Sequence, residues 1–162
     1  MMNVEKTGKA QQVPSRDSWD EYFMGLAEES ATRSKDPKTQ VGSCIVKDKR
    51  VLSLGYNGAP RNFPDDEVPK ENNKENILLS KNAFMCHSEL NAILNYRGSL
   101  EDLNGATIYV TLSPCHECVK ALIQVGIKEI VYRDKYHHND IFDLATLLAE
   151  KCNVIYRRLK VK

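Results

Sequence analysis

Apolar positions in this chain alternate between a helical and an extended rhythm, and each change of rhythm marks an element. Trp19, Phe23, Leu26, Ala27, Ser30 and Ala31 recur at helical spacing, which predicts a first amphipathic helix running to about residue 34. Ser18 stands at its N-cap with Glu21 three residues on, the pairing of a capping box. Asp36-Pro37 ends it. Residues 41–46 and 51–56 are short, apolar, β-branched runs, and the charged Lys47-Asp48-Lys49-Arg50 between them predicts a hairpin. A polar stretch then reaches from Asn57 to roughly Asn82, long enough to read as a functional loop, with a short helix expected around residues 76–79.

Leu90, Ala92, Ile93 and Leu94 predict a second helix that opens near His87. Residues 107–112 form a third strand by pattern, and Ser113 as N-cap with Pro114 at the first helical position predicts a third helix, which Gly126 ends. Residues 129–132 read as a fourth strand, 141–151 as a fourth helix and 154–157 as a fifth strand. Strands alternating with helices indicate a layered α/β sheet in one domain. That domain is expected over residues 17–158, after a polar, aperiodic and mobile lead-in at 1–16 and before a short basic end at 159–162.

Composition narrows the class without choosing a function. Hydrophobic residues make up 41% and charged residues 28%, an ordinary globular balance. The formal net charge of +1 gives no basic field for nucleic acid, so no nucleic-acid partner is expected. No apolar signal segment or membrane-length run is present, so no membrane partner is expected either. Of five cysteines, Cys44, Cys86 and Cys152 lie among apolar neighbours, where cysteine acts as a small hydrophobe. That usage fits a reducing, cytoplasmic location better than a disulfide framework.

The remaining cysteines carry the chemistry. Cys86-His87-Ser88-Glu89 contains H-x-E, and Pro114-Cys115-His116-Glu117-Cys118 contains P-C-x-x-C. One imidazole and two thiolates from His87, Cys115 and Cys118 supply three of the four tetrahedral positions of Zn2+, leaving the last for water. Glu89, beside the histidine, is then the catalytic proton carrier. Cys115 and Cys118 are three apart near the positive end of a helix, which favours the thiolate form. The bland alternative is a closed structural zinc completed by His116 or another cysteine, but no second C-x-x-C or H-x₃₋₅-H follows. The two-part pattern is the signature of zinc nucleobase deaminases, in which a glutamate serves the attack of water on cytosine C4.

Longer stretches sharpen this. Trp19-Asp20-Glu21-Tyr22-Phe23-Met24, Arg33-Ser34-Lys35-Asp36-Pro37, Gln40-Val41-Gly42, Gly55-Tyr56-Asn57-Gly58-Ala59-Pro60, Gly126-Ile127-Lys128-Glu129 and Asp134-Lys135-Tyr136-His137 accompany the zinc segments. With them the chain resembles the deoxycytidylate (dCMP) deaminases of the cytidine deaminase-like superfamily, over nearly everything from Trp19 to Arg158. The resemblance implies a three-layer α/β/α sandwich around a mixed five-stranded sheet and a homo-oligomer, commonly hexameric. It implies hydrolysis of dCMP to dUMP and ammonia for thymidylate synthesis, with dCTP as activator, dTTP as inhibitor and Mg2+ as a possible companion of these effectors. Two departures stand out: Ser88 replaces the family's usual alanine, and residues 57–85 hold no histidine or cysteine for the second zinc some relatives carry.

The resemblance also implies a sugar contact for Asn57 and a place near the substrate for Tyr136, though a turn former and a core-edge tyrosine are comparable readings. Arg97 has the fork that binds phosphate, but an exposed loop arginine is the more ordinary account. His137 and His138 read as surface residues. Arg33, Lys35, Tyr56 and Gly58 are candidates for an effector-nucleotide site, against the alternative of a basic helix end and an ordinary turn. Rival functions are deamination of another cytosine nucleoside or nucleotide, of guanine or of tRNA adenosine, and a zinc-stabilised binding module without chemistry; Glu89 argues against the last.

Overall fold

The computed structural model describes residues 18–160, so the expected lead-in at 1–16 and residues 161–162 of the basic end lie outside them. Ten regular elements follow in order: α1 (Trp19–Ala31), β1 (Gly42–Lys47), β2 (Arg50–Tyr56), α2 (Lys81–Phe84), α3 (Ser88–Asn95), β3 (Thr107–Leu112), α4 (His116–Gln124), β4 (Glu129–Asp134), α5 (Asn139–Lys151) and β5 (Ile155–Arg158). The capping box forms as the pattern predicts. Ser18 Oγ accepts the Glu21 N–H at 3.2 Å, and the Ser18 N–H donates to Glu21 Oε2 at 2.7 Å. The helix stops at Ala31, short of residue 34, because its last N–H groups turn to nearer carbonyls: Arg33 bonds Ser30 and Ser34 bonds Ala31.

The strands form one mixed sheet in the order β2-β1-β3-β4-β5, antiparallel from β2 to β3 and parallel from β3 to β5. Asp48 and Lys49 make the predicted hairpin turn at φ 52° and 59°, the twist that a two-residue loop needs. Alternation along the strands assigns the helices to faces. Cys44, Val46, Tyr109 and Val131 meet Phe23, Met24 and Ala27 of α1 on one side. Ile45, Ile108, Val110 and Ile130 meet α3, α4 and α5 on the other, through Ala92, Ile93, Val119, Leu122, Ala145 and Ala149. The result is the expected α/β/α sandwich. Trp19 alone of the predicted apolar stripe is mostly exposed, stacked on Phe23 with Lys49 over its ring.

Two contacts bring the backbone of α3 down on β2. A Cβ on Gly55 would collide with the Ser88 carbonyl and the Ala92 amide, so only glycine permits this approach. Beside it, Ser53 Oγ donates to the Ala92 carbonyl at 2.6 Å. The long connection after β2 is also anchored. It contains turns at Asp65–Glu67 and Ile77–Leu79 and the single turn of α2. Lys81 Nζ reaches back to both oxygens of Asp36, at 2.8 and 2.7 Å, and both side chains are almost wholly buried. Asp36 Oδ1 also accepts the N–H groups of Lys38 at 2.8 Å and Thr39 at 3.0 Å. The exposed pairs Lys35–Asp65 and Lys38–Glu71 join the same two segments.

A buried pair satisfied this fully is costly to break from one side, by about 3–5 kcal/mol, whereas exposed pairs contribute little. Lys81→Ala should therefore lower unfolding stability in urea at pH 7 by about that amount, and Lys35→Ala should barely change it. Burial pushes the Asp36 carboxyl up, but Lys81 and the two N–H groups outweigh it and hold it below the ordinary range. Its contribution is thus complete above the unfolded carboxyl value of about 4 and is lost as pH falls through the lower folded value. The gap between wild type and Lys81→Ala should narrow in urea titrations carried well below pH 4.

Candidate active site

α3 and α4 start side by side with unusual residues at their N-caps. His87 is extended at φ −71°, ψ 154°, and Cys115 at φ −70°, ψ 167°; neither helix has the oxygen-bearing N-cap side chain that usually closes its start. The pattern Ser113-Pro114 predicts the helix two residues earlier, and the structure corrects this. Ser113 Oγ accepts the Tyr136 N–H at 2.7 Å, and the Ser113 N–H donates to the Asp134 carbonyl at 2.8 Å, so Ser113 continues the strand and ties it to the loop after β4. The next carbonyl, of Pro114, accepts Tyr156 Oη at 3.0 Å. On the histidine side, Gly58 and Cys86 exchange backbone hydrogen bonds of 3.1 and 2.7 Å. Asn57-Gly58 is therefore not the hairpin turn that its sequence permits.

These supports bring His87 Nδ1 to 3.5 Å from Cys115 Sγ and 3.3 Å from Cys118 Sγ. Ligands of a tetrahedral zinc at bond lengths near 2.0 and 2.3 Å would stand about 3.6 Å apart, so the N, S, S donor set fits that ion. Among the described residues no other histidine, cysteine or acid joins the triangle. His116 turns away, its Nε2 3.4 Å from the Glu117 carboxylate.

The charges suit a cation. The hydrogen bond from Cys118, joined by His87, outweighs burial and pulls the Cys115 thiol down to about 4. Cys118 is pushed up, first by that hydrogen bond and then by burial, so Cys115 is the thiolate of the pair. The same hydrogen-bonded thiolate raises His87 against the effect of burial. Glu89, 4% exposed, is raised chiefly by burial and opposed by His87. A carboxyl in that state is suited to holding and releasing a proton.

The other candidates fall in different places. Tyr136 is half-buried and close enough to Cys115 for its charge to raise the phenol, after burial. Its ring lies 5.0 Å from that of His138, and both His137 and His138 are exposed. Asn57 is buried with its amide largely spent on the chain: Oδ1 accepts the Val41 N–H at 2.8 Å and Nδ2 donates to the Thr39 carbonyl at 2.8 Å. Arg97 is exposed two residues beyond α3, the far end from His87, and a helix of eight residues is about 12 Å long. It does not join the site. Cys44 is buried and pushed up to about 12, but Cys152 is exposed, because the last turn of α5 carries it to the surface.

Arg33, Lys35, Tyr56 and Gly58 do meet. They line one cavity of about 350 Å³ with Asn57, Asp65 and Lys70, and none of the metal triangle lines it. Its wall reaches Met85 and the Gly58–Cys86 bridge, one residue from His87. Reading by pattern missed Ser43, whose hydroxyl reaches Ser88, and the Lys81–Asp36 clasp. A lone serine in the apolar run of β1 was a visible signal for the first; a lysine in a polar stretch gives none for the second.

A mixed five-stranded sheet whose two helix N-termini converge an imidazole and two thiols beside a buried carboxylate has the architecture of a zinc-dependent deaminase. The chain belongs to the cytidine and deoxycytidylate deaminase family, whose zinc-binding region model matches residues 17–134. It is 46% identical over 142 residues to the human protein named deoxycytidylate deaminase, covering 86% of this chain and 79% of that one. It is 39% identical over 130 residues to the deoxycytidylate deaminase of Mycobacterium phage D29, covering 73% and 96%. The dCMP deaminase of cyanophage S-TIM5, solved in complex with dCMP and dUMP, superposes with a TM-score of 0.69 at 28% identity over 90% of this chain and all of that one.

If the triangle holds zinc, Cys115→Ala and Cys118→Ala each remove a ligand. Zinc content of the purified variants, measured by mass spectrometry of the metal, should fall from about one per chain to a small fraction of it. Full retention in both would exclude these cysteines as ligands.

Proposed function

We propose that this protein hydrolyses dCMP to dUMP and ammonia, supplying dUMP for thymidylate synthesis in the cytoplasm. The observation that carries the reading is the His87–Cys115–Cys118 triangle with buried Glu89 beside it. The names of its relatives and the dCMP and dUMP bound to the cyanophage enzyme support the substrate. His87, Cys115 and Cys118 would hold the ion. Zinc there supplies Lewis acidity, which lowers the pKa of water towards neutrality. Glu89 takes a proton from the attacking water, passes it to the cytosine ring nitrogen, and helps the C4 amino group leave as ammonia. Its burial favours this exchange, since a carboxyl raised from its ordinary value takes up the proton of water more readily near neutral pH and so has one to deliver. Tyr136, held by Ser113 next to Cys115, is the side chain best placed to border the base. Asn57 retains one N–H for a sugar contact, and phosphate recognition falls to a cation other than Arg97.

We further read the cavity of Arg33, Lys35, Tyr56 and Gly58 as the effector site, with dCTP activating and dTTP inhibiting a homo-oligomer, hexameric by resemblance. Three cations on its lining, Arg33, Lys35 and Lys70, suit a triphosphate, with Mg2+ as its possible companion. Binding there bears on the site through Gly58 and Cys86, and can shift activity only by differential affinity for two states.

Glu89→Gln should keep zinc and fold while losing about 10²–10⁴ in kcat, because the amide cannot carry the proton. Normal turnover in a zinc-loaded Glu89→Gln would remove Glu89 from the chemistry. In ammonia-release assays dCMP should be preferred to deoxycytidine, and rate curves should be sigmoidal, becoming hyperbolic with dCTP and shifting rightward with dTTP. Equal efficiency on nucleoside and nucleotide would indicate a nucleoside deaminase. Hyperbolic curves indifferent to both triphosphates with Mg2+ present would leave the cavity without an effector role.

A further inference from the structure

The Glu89 carboxylate stands at the end of a chain of hydroxyls. Ser88 Oγ donates to Glu89 Oε2 at 3.1 Å and lies 2.5 Å from Ser43 Oγ. Ser43 and Ser88 are completely buried and Glu89 nearly so. The direction follows from proton arithmetic. A serine hydroxyl has a single proton to give. Ser88 gives its proton to the carboxylate, so the short contact with Ser43 is a bond in which Ser43 donates and Ser88 accepts. Such a chain polarises each hydroxyl in turn and strengthens the last donor.

The anchor of this chain matters. Ser43 belongs to β1, which sits inside the sheet between β2 and β3. Ser88 is the first residue of α3, whose backbone lies directly against Gly55. The pair therefore ties one oxygen of a flexible side chain to an interior strand of the sheet, not merely to its own helix. A general acid–base group works only within about 2.6–3.2 Å of the atom it serves, so a carboxylate free to rotate would spend much of its time unproductively. Holding Oε2 restricts rotation of the carboxylate.

We propose that Ser88 and Ser43 are positioning residues for the deamination reaction, acting through Glu89. This rests on the reading of Glu89 as proton carrier. Neither serine exchanges a proton with substrate; their effect is on orientation. Ser43 is accordingly a residue that affects turnover without touching the carboxylate.

The test compares Ser88→Ala, Ser43→Ala, the double variant, Ser43→Thr and Glu89→Gln as zinc-loaded proteins with dCMP. Ser88→Ala should lose about tenfold in kcat, with KM and zinc content unchanged, as expected for one charge-assisted hydrogen bond. Ser43→Ala should lose less, and the double variant should be no slower than Ser88→Ala, because Ser43 acts only through Ser88. Ser43→Thr, which keeps the hydroxyl, should recover the wild-type rate. Losses that multiply in the double variant, that appear in KM or zinc content, or that are absent from Ser88→Ala would overturn the proposal. If the serine variants are unaffected while Glu89→Gln is inactive, only the positioning role falls. If Glu89→Gln is itself active, the reading of Glu89 falls and this proposal falls with it.

Discussion

A helix start leaves backbone N–H groups without partners, and the N-cap side chain ordinarily satisfies one of them. His87 and Cys115 occupy N-cap positions and do not. Their side chains are consequently free to face each other across the gap between α3 and α4, with Cys118 completing the triangle from the first turn. The remaining framework keeps those helix starts in register. Gly55 lets α3 lie directly on the sheet, the Gly58–Cys86 bridge fixes the approach to His87, and Ser113 with Tyr156 fixes the approach to Cys115.

Around this centre, polar staples do work that apolar packing cannot do in a long polar connection. Asn57 sews the end of β2 to Thr39 and Val41, and Lys81 sews the far end of the connection to Asp36. Both staples end on the segment between α1 and β1. That segment also supplies Lys35, and the end of α1 supplies Arg33, to the cavity beside the site. The cavity wall at Asn57 and Gly58 is thus positioned by hydrogen bonds and one buried ion pair, and it bridges to Cys86 beside His87.

Much of the architecture is legible in the chain because it follows from periodicity. The capping box at Ser18, the hairpin at Asp48-Lys49 and the strand-helix alternation from Thr107 onward all depend on local rules, and all appear. The metal motifs are legible for a related reason: short spacing at a helix start leaves few geometries. What pattern could not supply was the competition for single hydrogen bonds. Ser113 looks like an N-cap until Tyr136, more than twenty residues away, takes its hydroxyl. Asn57 looks like a turn residue until Thr39 and Val41 claim its Oδ1 and one N–H of its amide. Arg97 is plausible for a phosphate until the length of α3 separates it from His87. Burial of Lys81 and the partner of Ser88 depend on contacts about forty-five residues apart in sequence, beyond the reach of any local rule.

The central claim is that the triangle is an open zinc site, with three protein ligands and one position left for solvent. X-ray absorption at the zinc edge of the metal-loaded protein tests it most directly. The expected first shell is two sulfurs at about 2.3 Å and two lighter atoms at about 2.0–2.1 Å, with outer-shell scattering from a single imidazole. A third sulfur, or scattering from a second imidazole such as that of His116, would show a closed structural site and contradict the account.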